Sequence, residues 1–297
     1  MKNITDVLIE KVKETNNPTV MGLDPKMDYI PSFMREGKDD TEAILAFNKS
    51  LIDVVYDIIP AVKPNLAFYE VFGVKGIECF IKTCEYAALK GMVVIADGKR
   101  NDIGSTASAY AKAYFGKNYM VDFLTINPYL GEDGIKPFIE VSQNSSYTKG
   151  VFGLVKTSNE SSGQLQDLKL ENGKLVYEQV AELLNTLNAD TIGENGYGIV
   201  GAVVGATYPK QLAALRKLMP KSYILIPGYG AQGGTSKDIA VGFDKKGLGA
   251  IVNSSRGLMC AYKSDMWKDK YTQNSFTDAT RAEALYMKDD INSALGK

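Results

Sequence analysis

The segment Asp97-Gly98-Lys99-Arg100-Asn101-Asp102 sets two carboxylates around one ammonium, directly after the apolar run Met92–Ala96. Side chains alternate along a strand, so Asp97 and Lys99 are expected on the same side. Burying such charges is costly unless they pair. A paired lysine can stabilise developing negative charge and then donate a proton. The chain contains no histidine, which removes the usual general base near neutral pH. A lysine–carboxylate array is therefore the leading catalytic candidate. Lys99, flanked by carboxylates, is expected to keep its proton.

Such residues need a scaffold that brings several strand ends together. Eight short apolar runs read as strands: Thr19–Leu23, Ala61–Lys63, Met92–Ala96, Phe123–Asn127, Val151–Lys156, Ile199–Val204, Tyr223–Pro227 and Ala250–Asn253. They lack polar alternation, as parallel strands buried on both faces do. Helical patterns lie between them: Thr41–Tyr56 with Thr41 as its cap, Phe68–Leu89, Ser105–Phe115, Leu175–Leu187, Pro209–Met219 and Thr280–Leu295. The expected fold is α/β, a single (β/α)₈ TIM barrel over residues 1–297. A doubly wound sheet is the competitor, but no G-x-G-x-x-G follows the first strand. The polar stretches Ser158–Lys174 and Tyr262–Phe276 are long for loops. The first follows a strand end and could border the active face, or it is a surface insertion.

In such barrels the catalytic groups come from the C-terminal ends of the strands. Those ends carry Asp24, Lys63 with Asn65, the Asp97–Asp102 segment, Asn127, Lys156-Thr157-Ser158, Pro227 with a glycine-rich loop through Gln232, and Asn253-Ser254-Ser255-Arg256. The loops after strands seven and eight commonly form a phosphate site. Glycines admit backbone N–H groups to an anion, and Arg256 can grip phosphate oxygens bidentately. Each charge also has a plainer role open to it. Asp24 before Pro25 suits a turn, Lys63 a surface position, Asp97 and Asp102 helix caps. Lys156 suits a snorkelling strand-end lysine.

Composition narrows the classes. The chain is 45% hydrophobic and 23% charged with a net charge of −1. No strong field favours nucleic acid or an anionic membrane. Cys79, Cys84 and Cys260 are scattered and form neither a disulfide framework nor a zinc site. The amphipathic N-terminus lacks a signal-peptide apolar region, and no apolar run reaches membrane-spanning length. A cytoplasmic location is expected.

The stretch Asp97 to Thr106, D-G-K-R-N-D-I-G-S-T, resembles the D-x-K-x-x-D-I-x-x-T signature of the orotidine 5′-phosphate decarboxylase family. Gly22-Leu23-Asp24-Pro25, Val62-Lys63-Pro64-Asn65, Pro227 through Gln232 and Asn253 through Arg256 extend the resemblance along the barrel, toward the longer-chain branch. The resemblance implies conversion of orotidine 5′-monophosphate (OMP) to UMP and CO₂ in pyrimidine biosynthesis, without metal or organic cofactor. It implies that Lys99 protonates C6 within an array of Lys63, Asp97, Lys99 and Asp102. Asp102 and Thr106 would enter the neighbouring subunit's site, making a homodimer. Asp24, Lys63, Asn65 and Thr106 would meet the ribose. Gln232 and Arg256 would hold the phosphate, Pro227 would be a further substrate-binding residue, and Thr157 or Ser158 would lie at the pyrimidine edge.

Other readings of the same residues stay open. A related magnesium-dependent sugar-phosphate barrel could share the D-x-K-x-x-D. A class I aldolase would use a lysine Schiff base. A non-catalytic nucleotide-phosphate binder would need neither Lys63 nor Lys99.

Overall fold

Eight parallel strands close on themselves in chain order, each hydrogen-bonded to the next and the last to the first. The computed structural model describes residues 2–142, 148–230 and 233–297. The strands are β1 Thr19–Leu23, β2 Ala61–Pro64, β3 Val93–Arg100, β4 Phe123–Ile126, β5 Gly150–Lys156, β6 Val200–Val204, β7 Ile224–Pro227 and β8 Ala250–Ser254. Closure is made by pairing Thr19, Val20 and Met21 with Val252, Asn253 and Ser254. The expected (β/α)₈ barrel is the observed one. Almost every strand residue is buried, as expected of strands covered on both faces.

Helices connect the strands: α1 Ile4–Thr15 before β1, α2 Asp40–Asp53, α3 Gly73–Leu89, α4 Gly104–Phe115, α5 Lys136–Ser142, α6 Val176–Asn188, α7 Pro209–Leu218, α8 Ser236–Ala240 and α9 Phe276–Ala294. Helix α1 is tied to the segments that lead into β5 and β6. Asn3 Nδ2 donates to the carbonyls of Thr191 and Tyr197, Thr5 Oγ1 donates to the Gly198 carbonyl, and the Ile4 amide donates to Thr148. These contacts anchor α1 at the N-terminal end of the barrel and leave the opposite end for the site. Among the described residues no helix is long and apolar enough to cross a membrane.

Three sequence expectations change. The cap of α2 is Asp39, not Thr41: Asp39 accepts from the Glu42 amide and Glu42 from the Asp39 amide. An aspartate two residues upstream completes a capping box, which Thr41 could not. The stretch Phe68–Leu89 is two helices, Ala67–Glu70 and α3, separated by Val71 and Phe72, with α3 opening at Gly73 and its φ of 60°. Strand β3 runs on to Arg100 rather than ending at Ala96, with a register shift against β4 between those two residues. Asp97–Arg100 is thus strand, with Asn101 and Asp102 just beyond it.

Candidate active site

The extension of β3 builds the centre of the site. Asp97 is bridged to Asn65 beyond the end of β2. Lys99 has a φ of 45°, in the left-handed region that a lysine seldom occupies. Its amide is held there by Thr125 Oγ1 at 3.0 Å. Strain of this kind persists where surrounding bonds over-determine it, and such spots cluster at functional sites.

Asp97 is gripped from both sides. Oδ2 accepts from Lys63 Nζ at 2.7 Å, and Oδ1 accepts from Lys99 Nζ at 2.6 Å and from Thr125 Oγ1 at 2.9 Å. Lys63 also stands 3.9 Å from Asp24 Oδ1. Lys63 and Asp97 are buried, whereas the Lys99 side chain is 49% exposed and reaches into the opening. Burial alone would raise the Asp97 pKa, but the two ammoniums override it and hold the carboxyl well below the usual range. Burial would likewise lower the Lys63 pKa; Asp97, and then Asp24, reverse the sign and raise it. The pair is therefore ionised, with a third charge, Lys99, facing the opening.

A cavity of about 660 Å³ opens at the C-terminal ends of the strands. Asp24, Lys63, Asn65, Asp97, Lys99, Thr157, Ser158, Pro227 and Arg256, all named from the sequence, line it together. Among the described residues Asp24 Oδ1 and Asn253 Oδ1 are buried acceptors with no hydrogen-bond partner, and both residues line the cavity. Buried acceptors left so are uncommon, and a ligand hydroxyl would satisfy them.

Asp102 and Thr106 do not line this cavity. Asp102 Oδ1 accepts from the Ile103 amide at 2.8 Å, and Thr106 is exposed in the first turn of α4. Asp102 is not the cap of α4; that position is Ile103, with no side-chain cap. Gln232 lies outside the described residues. Lys156 does not snorkel. It is fully buried, paired with Asp167 at 2.9 Å, because β5 ends beneath the 158–174 segment rather than at solvent.

The glycine-rich loop after β7 also departs from expectation. The amides of Gly230, Gly233 and Gly234 donate to carbonyls of Gly234, Gly230 and Gly228 within the loop itself. These three N–H groups are used within the loop, so they do not line up for an anion. Tyr229 anchors the loop through its hydroxyl to Asp290 Oδ2 in α9.

Sequence reasoning missed Thr125, Gln166 and Tyr29 as lining residues. For Thr125 a signal existed: it is the one hydroxyl in the run Phe123-Leu124-Thr125-Ile126. For Gln166 the signal stopped at the segment: the polar 158–174 stretch follows a strand end, but nothing in it singles out Gln166.

Known proteins match this chain along its length. Residues 20–264 match the model of the "Orotidine 5′-phosphate decarboxylase / HUMPS family". A Rhodopirellula baltica protein named orotidine 5′-phosphate decarboxylase is 43% identical over 292 residues, covering 94% of this chain and 96% of that one. A Clostridium perfringens protein of the same name is 42% identical, covering 99% and 100%. The solved structure of Leishmania donovani OMP decarboxylase is similar at a TM-score of 0.79 and 30% identity, covering 99% of each chain. By barrel, site and descent, this chain belongs to the orotidine 5′-phosphate decarboxylase / HUMPS family.

Proposed function

We propose that the chain decarboxylates OMP to UMP and CO₂, with Lys99 as the acid that protonates C6. The observation that carries this reading is the bracketing of ionised Asp97 by Lys63 and Lys99 at 2.7 and 2.6 Å on the cavity wall. The bond from C6 to the carboxylate breaks, its electron pair stays on C6, and CO₂ leaves. A proton passes from Lys99 Nζ to C6, and the neutral amine recovers a proton from water. Lys99 opposes the charge that develops at C6, an interaction stronger in the transition state than in the ground state. Asp97 keeps Lys63 and Lys99 in place without reorganisation and stands beside the departing carboxylate.

The substrate assignments follow the placement of the lining groups. Asp24, Lys63 and Asn65 serve the ribose hydroxyls, with Asp24 Oδ1 an unsatisfied acceptor for one of them. Pro227 and Arg256 serve the phosphate, and the family resemblance adds Gln232. Ser158 rather than Thr157 serves the pyrimidine edge, because the Thr157 hydroxyl is already engaged with Asn159 and Gln166. Asp102 and Thr106 serve the site of a second copy. They lie off their own cavity, next to the exposed apolar side chains of Ile103 and Tyr110, which suits a two-fold interface.

The test is the fall in OMP absorbance with purified protein in the presence of EDTA. Turnover that persists supports the reading. Turnover abolished by EDTA and restored by Mg²⁺ would assign the chain to the metal-dependent chemistry of related sugar-phosphate barrels instead.

A further inference from the structure

Two consecutive residues at the end of β5 are gripped by two consecutive residues of the 158–174 segment. Lys156 Nζ pairs with Asp167, at 2.9 Å to Oδ1 and 3.0 Å to Oδ2, and donates to Ser162 Oγ at 3.1 Å. The ammonium also lies 4.5 Å from the centroid of the Tyr208 ring. A fully buried lysine must be paired, so this contact pins the segment to the barrel. Next to it, Gln166 Oε1 accepts from the Thr157 amide at 3.0 Å, and Gln166 Nε2 donates to Thr157 Oγ1 at 2.7 Å.

The Thr157 amide can only donate, so the orientation of the Gln166 amide is settled by its partner. That orientation propagates. With Oγ1 accepting from Gln166, the Thr157 hydroxyl proton goes to Asn159 Oδ1 at 2.7 Å, and Asn159 Nδ2 donates to Ser161 Oγ at 3.1 Å. Both chain neighbours of Ser158 are thereby fixed. Behind Ser158 stands Gly205, where a Cβ would come 2.8 Å from Ser158 Cβ and 3.0 Å from its amide nitrogen. Ser158 is held from three sides and lines the cavity, as does Gln166.

We propose that Gln166 is a positioning residue that sets base recognition by clamping Thr157 and Asn159 around Ser158, with Lys156–Asp167 as the anchor of the clamp. This rests on the reading of Ser158 as the contact to the pyrimidine edge. The insertion after β5 is then a part of the specificity apparatus rather than surface decoration. A hydroxyl that must meet a flat heterocycle edge needs its angle set, and a loop left alone does not set it.

The experiment compares UMP with ribose 5-phosphate, which lacks the base, as inhibitors of Gln166→Met, Gln166→Glu and Ser158→Ala. Gln166→Met keeps the length and removes both hydrogen bonds. UMP should bind it about tenfold more weakly while ribose 5-phosphate is held as before. KM for OMP should rise more than kcat falls. Gln166→Glu keeps an acceptor for the Thr157 amide and should recover part of the loss. Equal weakening of both ligands would mean a general loosening of the barrel and would overturn the proposal. UMP affinity unchanged in Gln166→Met but reduced in Ser158→Ala would overturn the clamp and leave the base contact standing. UMP affinity unchanged in Ser158→Ala would remove the base contact and the clamp with it.

Discussion

Lys63 Nζ lies 2.7 Å from Asp97 Oδ2, and neither side chain is more than a tenth exposed. The pair couples stability to pH at both ends of the scale. Asp97 has its pKa lowered in the folded protein. Its contribution is fully present above the unfolded-state value of about 3.9 and is lost as pH falls below it toward the folded-state value. Lys63 has its pKa raised. Its contribution is fully present below about 10.4 and is lost as pH rises through the folded-state value. Asp97→Asn leaves the buried Lys63 ammonium with only the more distant Asp24, 3.9 Å away, as counter-charge and should destabilise by up to about 3–5 kcal/mol at neutral pH. Urea denaturation from pH 2 to 7 should show a shallower acid-side slope in the variant than in the parent. Parallel curves would mean that Asp97 does not titrate as described.

Lys99→Ala should lower kcat by several orders of magnitude while UMP still binds. The variant removes both the charge opposite C6 and the proton source, but leaves the ribose and phosphate contacts. Lys99 is half exposed, so its removal should cost little stability. Turnover near the parent's, measured under saturating OMP, would exclude Lys99 as the acid.

Arg256→Ala should raise KM for OMP and also slow turnover. A charge-assisted contact to phosphate contributes about 1.5–3 kcal/mol, roughly ten- to a hundredfold. Part of that energy is expressed in the transition state, so kcat should not escape. Ribose 5-phosphate should lose affinity here, in contrast to the Gln166 variants. A variant that handles OMP like the parent would place the phosphate elsewhere.

Mixing Asp102→Ala with Lys99→Ala subunits tests the shared site. If Lys99 serves its own chain and Asp102 the partner's, a mixed dimer holds one doubly damaged site and one intact site. Random exchange of equal amounts makes about half the dimers mixed, so activity should return to about a quarter of the parent's per site. No recovery after exchange has been demonstrated would place both residues in the same chain's site.

The barrel was legible because parallel strands buried on both faces must be continuous apolar runs, and eight of them stand in the chain with helices between. Lys63, Asp97 and Lys99 were legible because a charge abutting such a run is costly without a purpose. Thr125 was harder to read: it holds both Asp97 and the Lys99 amide, yet its only mark in the sequence is to be the one hydroxyl in an apolar run, which ordinary strands also carry. The left-handed Lys99 and the run of β3 to Arg100 were decided by tertiary bonds from Thr125 and Asn65, against local preference. Gln166 is held at the cavity by its own bonds to Thr157 and by the neighbouring Asp167, which pairs with Lys156 at the end of β5. That contact joins residues a loop apart, and no periodicity encodes it. For Asp102 and Thr106 the family resemblance pointed away from their own cavity, whereas spacing alone did not: sequence adjacency to Lys99 carries no information about which side of the barrel rim they face, and that is decided by where β3 hands over to α4.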